Sequence, residues 1–350
     1  MDPVPGQTPL VSVILPNYNH EPSLGLSLGA LRAQTYPSIE VLLVDDASTD
    51  GSAATAAALG ARVLRLPRNR GPAAARNLGA AHARGVVLLF VDSDVAIDPT
   101  AVERCVELLR EPRVGAVCGM LDPVPLVRDS LVQECRCLQA HYWRISAEGT
   151  VSFLFSAVCA MRAEVFREIG PFDERLRQTE EVEYGQRLSA RYEIRLTSAL
   201  SGRHRDDVHL WPLMRKVFHR CRLRVPLYAR RRRHARGFET ASRAWGSLAA
   251  LAAVPALALP VVAPVAAVVP AVLLAVSVAA DAPMYRFVLA RRGPRFALAF
   301  TGVQLAVNVA IAAGVVAGAV QWVLSRRFRA LYDGAPVPAT PAPDSVRSRT

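Results

Sequence analysis

The chain has 350 residues, with 42 Lys+Arg against 30 Asp+Glu for a formal charge of +12, and 51% of it is hydrophobic. That apolar content excludes global disorder. The length suits one catalytic domain of roughly 200 residues with an appendage. Val11 to Leu15 is a β-branched apolar run ended by Pro16, and Ile39 to Val44 is a second, ended by Asp45-Asp46. Each reads as a buried parallel strand. Between them Leu24, Leu28 and Leu31 recur at helical spacing, and Tyr36-Pro37-Ser38 breaks the helix. An Ala-rich helix near 52–59, a strand at 61–66, a helix at 73–83 and a strand at 86–91 running into Asp92-Ser93-Asp94 continue the alternation. Alternating β and α elements predict a doubly wound, mostly parallel α/β sheet, with ligands held beyond the carboxyl ends of its strands.

Residues 101–200 are less regular. The pattern predicts helices at 101–110 and 131–147, a strand at 115–120, an apolar strand or loop at 151–161, and a turn at Gly170-Pro171-Phe172-Asp173. A helix follows over 180–188, whose spacing stacks Glu183 near Arg187. From Trp211 through Phe238 apolar residues alternate with Arg, as in interfacial helices, and 211–245 is assigned to them. Residues 246–280, 35 in all, carry no charge, and neither do the 29 residues 296–324. A crossing needs about 20 apolar residues, so 246–325 is read as a transmembrane region. Two or three helices fit it. Three satisfy the positive-inside tendency by a margin of one charge, with an external C-terminus. Residues 1–8 and 326–350, the latter rich in Pro and Ala, are expected to be flexible.

The charge is concentrated. Arg203 to Arg243 hold thirteen basic residues against Asp206, Asp207 and Glu239. Directly before an apolar run, such a patch meets anionic lipid rather than nucleic acid. No secretory signal is read at the N-terminus, so a multi-pass cell-membrane protein with a cytoplasmic catalytic domain is expected. The six cysteines show neither CxxC pairs nor zinc-finger spacing, and they read as reduced, mostly buried thiols.

Five segments, VSVILPNYN, VLLVDDASTD, NRGPAAARNLGAA, VVLLFVDSDV and GPFDERLRQTEEVEYGQRL, resemble in order the motifs of family 2 glycosyltransferases of the GT-A fold. The resemblance covers roughly 9–210, which is assigned to the catalytic domain. Two carboxylates just past an apolar strand suit a hard divalent cation that also holds a diphosphate, although a DxD alone also serves as a turn or cap. The resemblance makes Asp94 the direct metal ligand and Asp92 its neighbour facing ribose or metal, with Mn2+ or Mg2+ as cofactor. It gives Asp46 the nucleotide base, with Asp45 in support, where an Asx turn or helix cap is the plainer role. Pro16, Tyr18 and Glu21 would line the base and ribose pocket. Gly71 would let backbone approach the nucleotide, and Arg76 would meet it or else be a solvated helix residue.

Glu180-Glu181 stands where the family carries Glu-Asp, whose second acid is the general base. Glu181 therefore inherits that role with one extra methylene, and Glu180 or Glu183 are alternatives. His204 corresponds to a late family histidine near the diphosphate or metal, with His209 as a rival. The QxxRW signature of processive members is absent, so a single sugar transfer is expected. The resemblance thus implies a membrane-anchored, inverting, non-processive enzyme that moves a sugar from a nucleotide-sugar to an acceptor hydroxyl or phosphate. Its acceptor would be lipid-linked or a saccharide, in cell-envelope or saccharide biosynthesis. The alternative is a catalytically lapsed GT-A domain acting as a membrane-associated scaffold, and Glu181 in place of Asp is its sequence support.

Overall fold

The computed structural model describes residues 8–231 and 241–333. The expectations for residues 1–7, for 232–240 of the basic segment and for the tail from Gly334 lie outside these. Two compact units are present, one built from 8–122 and 147–205, the other from 123–146 and 206–333. Residues 123–146, expected within the catalytic domain, group instead with the apolar helices.

The first unit is an α/β sheet. Its strands are β1 (Val11–Asn17), β2 (Ile39–Asp45), β3 (Arg62–Arg65), β4 (Val87–Val91), β5 (Val95–Ile97), β6 (Val114–Leu121), β7 (Gly149–Val151), β8 (Val158–Arg162) and β9 (Glu193–His204). Their order is β3-β2-β1-β4-β8-β6-β9-β5, with β7 on β9. The parallel core expected from the buried apolar runs is β3-β2-β1-β4, and β6 and β9 are parallel again. Strand β8 runs antiparallel between β4 and β6. Helices α1 (Glu21–Arg32), α2 (Ser52–Ala58), α3 (Pro72–His82) and α4 (Ala101–Leu108) cross between strands. Leu24, Leu28 and Leu31 of α1 are buried with Val11, Val13 and Leu15 in one apolar cluster, as their spacing requires.

Three elements were not legible as such. The longest strand, β9, lies in a stretch to which no element is assigned from sequence, because the alternation of Ile194 and Leu196 with Arg195 and Thr197 is broken after two turns of the pleat by the exposed Ser198-Ala199. The short β5 and the helix α6 (Ala163–Ile169) were also missed. The helix predicted at 180–188 is α7 (Glu180–Leu188), and Glu183 does meet Arg187 in an ion pair at 2.9 Å.

The second unit is helical. It comprises α5 (Leu131–Ile145), α8 (Leu210–Arg231), α9 (Ala241–Ala256), α10 (Leu259–Val262), α11 (Val268–Ala279) and α12 (Ala282–Leu324), the last kinked at Gly293-Pro294. The start of the expected flexible tail is instead ordered as the short helix α13 (Arg326–Arg329), capped by the Ser325 hydroxyl, with Tyr332 donating to the Leu223 carbonyl. Ser242–Val262 and Ala282–Leu324 are long and apolar enough to cross a membrane, and Pro264–Ala279 is a shorter apolar stretch. All six cysteines are free thiols, five buried and Cys221 half-buried.

Candidate active site

The carboxylates converge where parallel strands end. Strand β1 lies between β2 and β4, so Asp45-Asp46 at the end of β2 and Asp92-Ser93-Asp94 after β4 open on one edge of the sheet, that of its carboxyl strand ends. Pro16 pairs with Val44 inside β1, so the strand continues through it to Asn17 rather than ending there. An N–H is missing at Pro16, yet the parallel ladder tolerates it near the strand end.

Asp45 is fully buried and accepts hydrogen bonds from the Ser48 amide at 3.3 Å and Arg65 Nε at 3.1 Å. Asp46 accepts from the Arg70 and Gly71 amides, both at 2.7 Å, so its carboxylate holds the turn into α3. Burial raises its pKa above the ordinary carboxylate value, against the pull of those amides and of the Arg177 charge. Gly71 has φ +91°, a conformation that excludes most side chains, and Arg177 packs over it. Tyr18 is exposed beside this edge. Glu21 instead accepts the Gly51 amide at 2.9 Å, so its carboxylate braces the loop after β2.

Arg76 is neither solvated nor at the surface. Only 3% exposed, it donates to Asp92 at 2.9 Å and to Glu180 at 3.1 Å. Burial works against its charge, but Asp92, Glu180 and Glu181 outweigh it and raise its pKa. The next residue, Asn77, exchanges two 2.9 Å hydrogen bonds with the backbone of Phe172. Consecutive residues of α3 therefore bind the Gly170–Asp173 turn and the start of α7 to the sheet.

The three acids of α7 differ. Glu180 is buried against Arg76, and Glu183 is buried against Arg187. Glu181 is half-buried and accepts the Ser156 hydroxyl at 2.9 Å. The Asp92 amide donates to the neighbouring Ala157 carbonyl at 3.1 Å, which places Ser156 and Glu181 beside the carboxyl end of β4.

Asp94 meets His204 Nε2 at 3.2 Å, and His20 Nδ1 lies 3.7 Å from the same oxygen. His204 ends β9, which pairs antiparallel with β5 just after Asp94, so the sheet delivers it. His209 belongs to the other unit. His20, Ser156, Asn77 and Arg177 were not singled out by sequence. Asn77 and Arg177 sit inside the recognised motifs and could have been.

The fold and this edge define a GT-A sheet, and residues 12–170 match the family model of Glycosyl transferase family 2. The chain carries a family 2 glycosyltransferase domain. It is 35% identical to the O-antigen biosynthesis protein RfbC of Myxococcus xanthus over 213 residues, 54% of this chain and 16% of that protein. It is 27% identical to the pre-mycofactocin glycosyltransferase of Mycobacterium tuberculosis over 220 residues, 60% of this chain and 46% of that one. The chain therefore spans less than half the length of these curated relatives. A mannosyltransferase from Pyrobaculum calidifontis, solved with GDP-Man and Mn2+, shares the fold with a TM-score of 0.56 at 21% identity, covering 92% of this chain and 89% of that one.

Proposed function

We propose that the protein is an inverting, non-processive glycosyltransferase, associated with a membrane, that moves one sugar from a nucleotide-sugar to an acceptor hydroxyl or phosphate. The observation that carries this reading is the meeting of Asp45-Asp46, Asp92-Asp94 and Glu181 at one sheet edge, with Arg76 joining two of these motifs. The acceptor hydroxyl gives its proton to Glu181 while its oxygen attacks the anomeric carbon from the side opposite the diphosphate, whose bond to that carbon breaks. Inversion follows from the single in-line displacement. The Ser156 hydroxyl orients Glu181 for that proton. Asp46 and the turn at 69–71 take the nucleotide end.

Among the described residues no three His, Cys, Asp or Glu side chains form a ready-made metal cluster. A divalent cation that shares a substrate diphosphate takes only one or two protein carboxylates and fills its other positions with phosphate oxygens and water. The donor set fits that case. Asp94 would hold the ion, with Asp92 and His204 beside it. When bound, the cation would offset the charge that develops on the leaving diphosphate. The Pyrobaculum enzyme's Mn2+ and GDP-Man agree in kind with this choice.

Incubation with a panel of nucleotide-sugars and Mn2+ or Mg2+, with and without lipid extract, tests the reading through nucleoside diphosphate release. Release with one donor is expected. No release with any donor would return the protein to the scaffold alternative.

A further inference from the structure

Resting on the membrane association above, we propose that the helical unit is monotopic: its apolar helices enter one leaflet and return, and none crosses the bilayer. The geometry of the 246–280 run points to this first. Two crossings need about 40 apolar residues plus a polar turn in water. The run has 35, and no polar side chain occurs from 248 to 276. Its outgoing arm, Ser242–Val262, has 21 residues. The return arm, Pro264–Ala279, is a shorter apolar stretch of about 24 Å, less than the roughly 30 Å hydrocarbon core.

The tip itself is built for lipid. Val261 and Val262 are 88% exposed and Val265 is 84% exposed, the barest large apolar side chains among the described residues. A turn left in hydrocarbon must satisfy its own backbone. The Leu257, Ala258, Val261, Ala263 and Ala266 amides all donate to nearby carbonyls. Pro255, Pro260 and Pro264 have no N–H to satisfy. At the base, by contrast, Arg243 pairs with Asp281 at 3.0 Å, Trp143 donates to the same carboxylate, and Trp245 is exposed. Charge and tryptophan at one end with bare valine at the other describe an element that goes in and comes back.

Helix α12 supplies the second argument. Leu213 and Val217 of α8 pack on Val307 and Ala310 of α12. A methyl added at Gly314 would strike the Phe218 carbonyl, and one at Gly318 would sit 2.6 Å from the Arg222 carbonyl. Arg222 donates to Gln321 at 3.0 Å. The partners advance together along both helices, so α8 and α12 run side by side in parallel. Helix α8 carries Arg215, Lys216, Arg220, Arg222 and Arg224 without an acid. An α12 that crossed would draw cations of α8 toward hydrocarbon with it, at the cost of their solvation. Arg215 and Lys216, exposed on α8, instead face anionic headgroups or water.

Three measurements test this on the full chain. Flotation with vesicles of phosphatidylcholine and phosphatidylglycerol comes first, and failure to float would remove the membrane reading itself and this proposal with it. In sealed inverted membrane vesicles, an impermeant amine reagent should label Lys216, the sole lysine, as read by mass mapping of its peptide apart from the N-terminal amine, and trypsin should cut after Arg326 or Arg327 from the same face. No substitution is needed for that. A fluorophore on Val262→Cys, in a Cys221→Ser background, should be quenched by nitroxide lipid and by neither external nor trapped iodide. Lys216 and the 326–327 site reached from opposite faces would overturn the proposal, as would quenching of the tip by trapped iodide.

Discussion

Arg76 and Glu180, 104 positions apart in the chain, are joined by a 3.1 Å ion pair in the interior of the first unit. The same guanidinium reaches Asp92 at 2.9 Å, so one fork spans the acid after β4 and the first acid of α7. Arg76→Met should therefore cost about 3–5 kcal/mol, because it strands a buried carboxylate. Arg76→Lys should recover only part of this, since a point charge cannot bridge both acids as a planar fork does. Urea unfolding followed by far-ultraviolet circular dichroism checks both. A loss below about 1 kcal/mol for Arg76→Met would show that the bridge does not anchor α7.

Asp94→Ala should abolish transfer and metal-dependent binding of the nucleoside diphosphate while leaving the unfolding midpoint near that of the parent. Its carboxylate lies beyond the buried strand β4, so its loss opens no large cavity. Full activity of this variant in excess chelator would refute the metal role. Asp46→Ala should behave differently, because it frees two amides at the turn into α3. It should weaken nucleotide affinity in titration calorimetry and also cost about 1–3 kcal/mol of stability.

Glu40 gives the sheet an acid-sensitive joint. Burial works against its ionisation, but hydrogen bonds from the Ser12 hydroxyl, the Arg84 amide and the Arg84 guanidinium outweigh it and hold its pKa below the ordinary 4.5. A lowered folded pKa stabilises the protein above the unfolded value, and that contribution is lost as pH falls through the folded one. Stability should accordingly drop below about pH 4.5, and Glu40→Gln should flatten part of that drop. Thermal unfolding across this range measures it. An unchanged slope in Glu40→Gln would assign the acid loss to other carboxylates.

The parallel half of the sheet was legible because its strands are continuous apolar runs closed by acids, a pattern whose period and punctuation are local. Strand β9 was not, since its period-2 alternation lasts only through Ile194 and Leu196 before Ser198-Ala199 break it, at the register shift where its pairing with β6 skips from Thr197 to Ser201. Asp45, Asp92, Asp94 and Glu181 were singled out through motif order and His204 by its distance after the last motif, and the carboxyl ends of the strands bring these positions together. The environments of Arg76 and Glu21 were not readable, because both depend on partners from other motifs, Asp92 and Glu180 for one and Gly51 for the other. Sequence spacing names such residues, while burial decides whether they face a ligand or a neighbour.

Glu181 gives the sharpest test of mechanism. Of the three acids on α7, Glu180 and Glu183 are buried in ion pairs, and Glu181 is the half-buried one, oriented by Ser156. Glu181→Gln keeps the shape and removes the base, so kcat should fall about 10²–10⁴-fold with donor KM little changed. Glu181→Asp, which shortens the arm by about 1 Å, should retain measurable turnover if the helix end can move that far. Glu180→Gln should act mainly on stability, by weakening the bond to Arg76. Steady-state release of nucleoside diphosphate, measured beside urea unfolding for all three, separates these effects. Should Glu180→Gln lower kcat more than Glu181→Gln at equal stability, the base is Glu180 and the assignment moves by one residue.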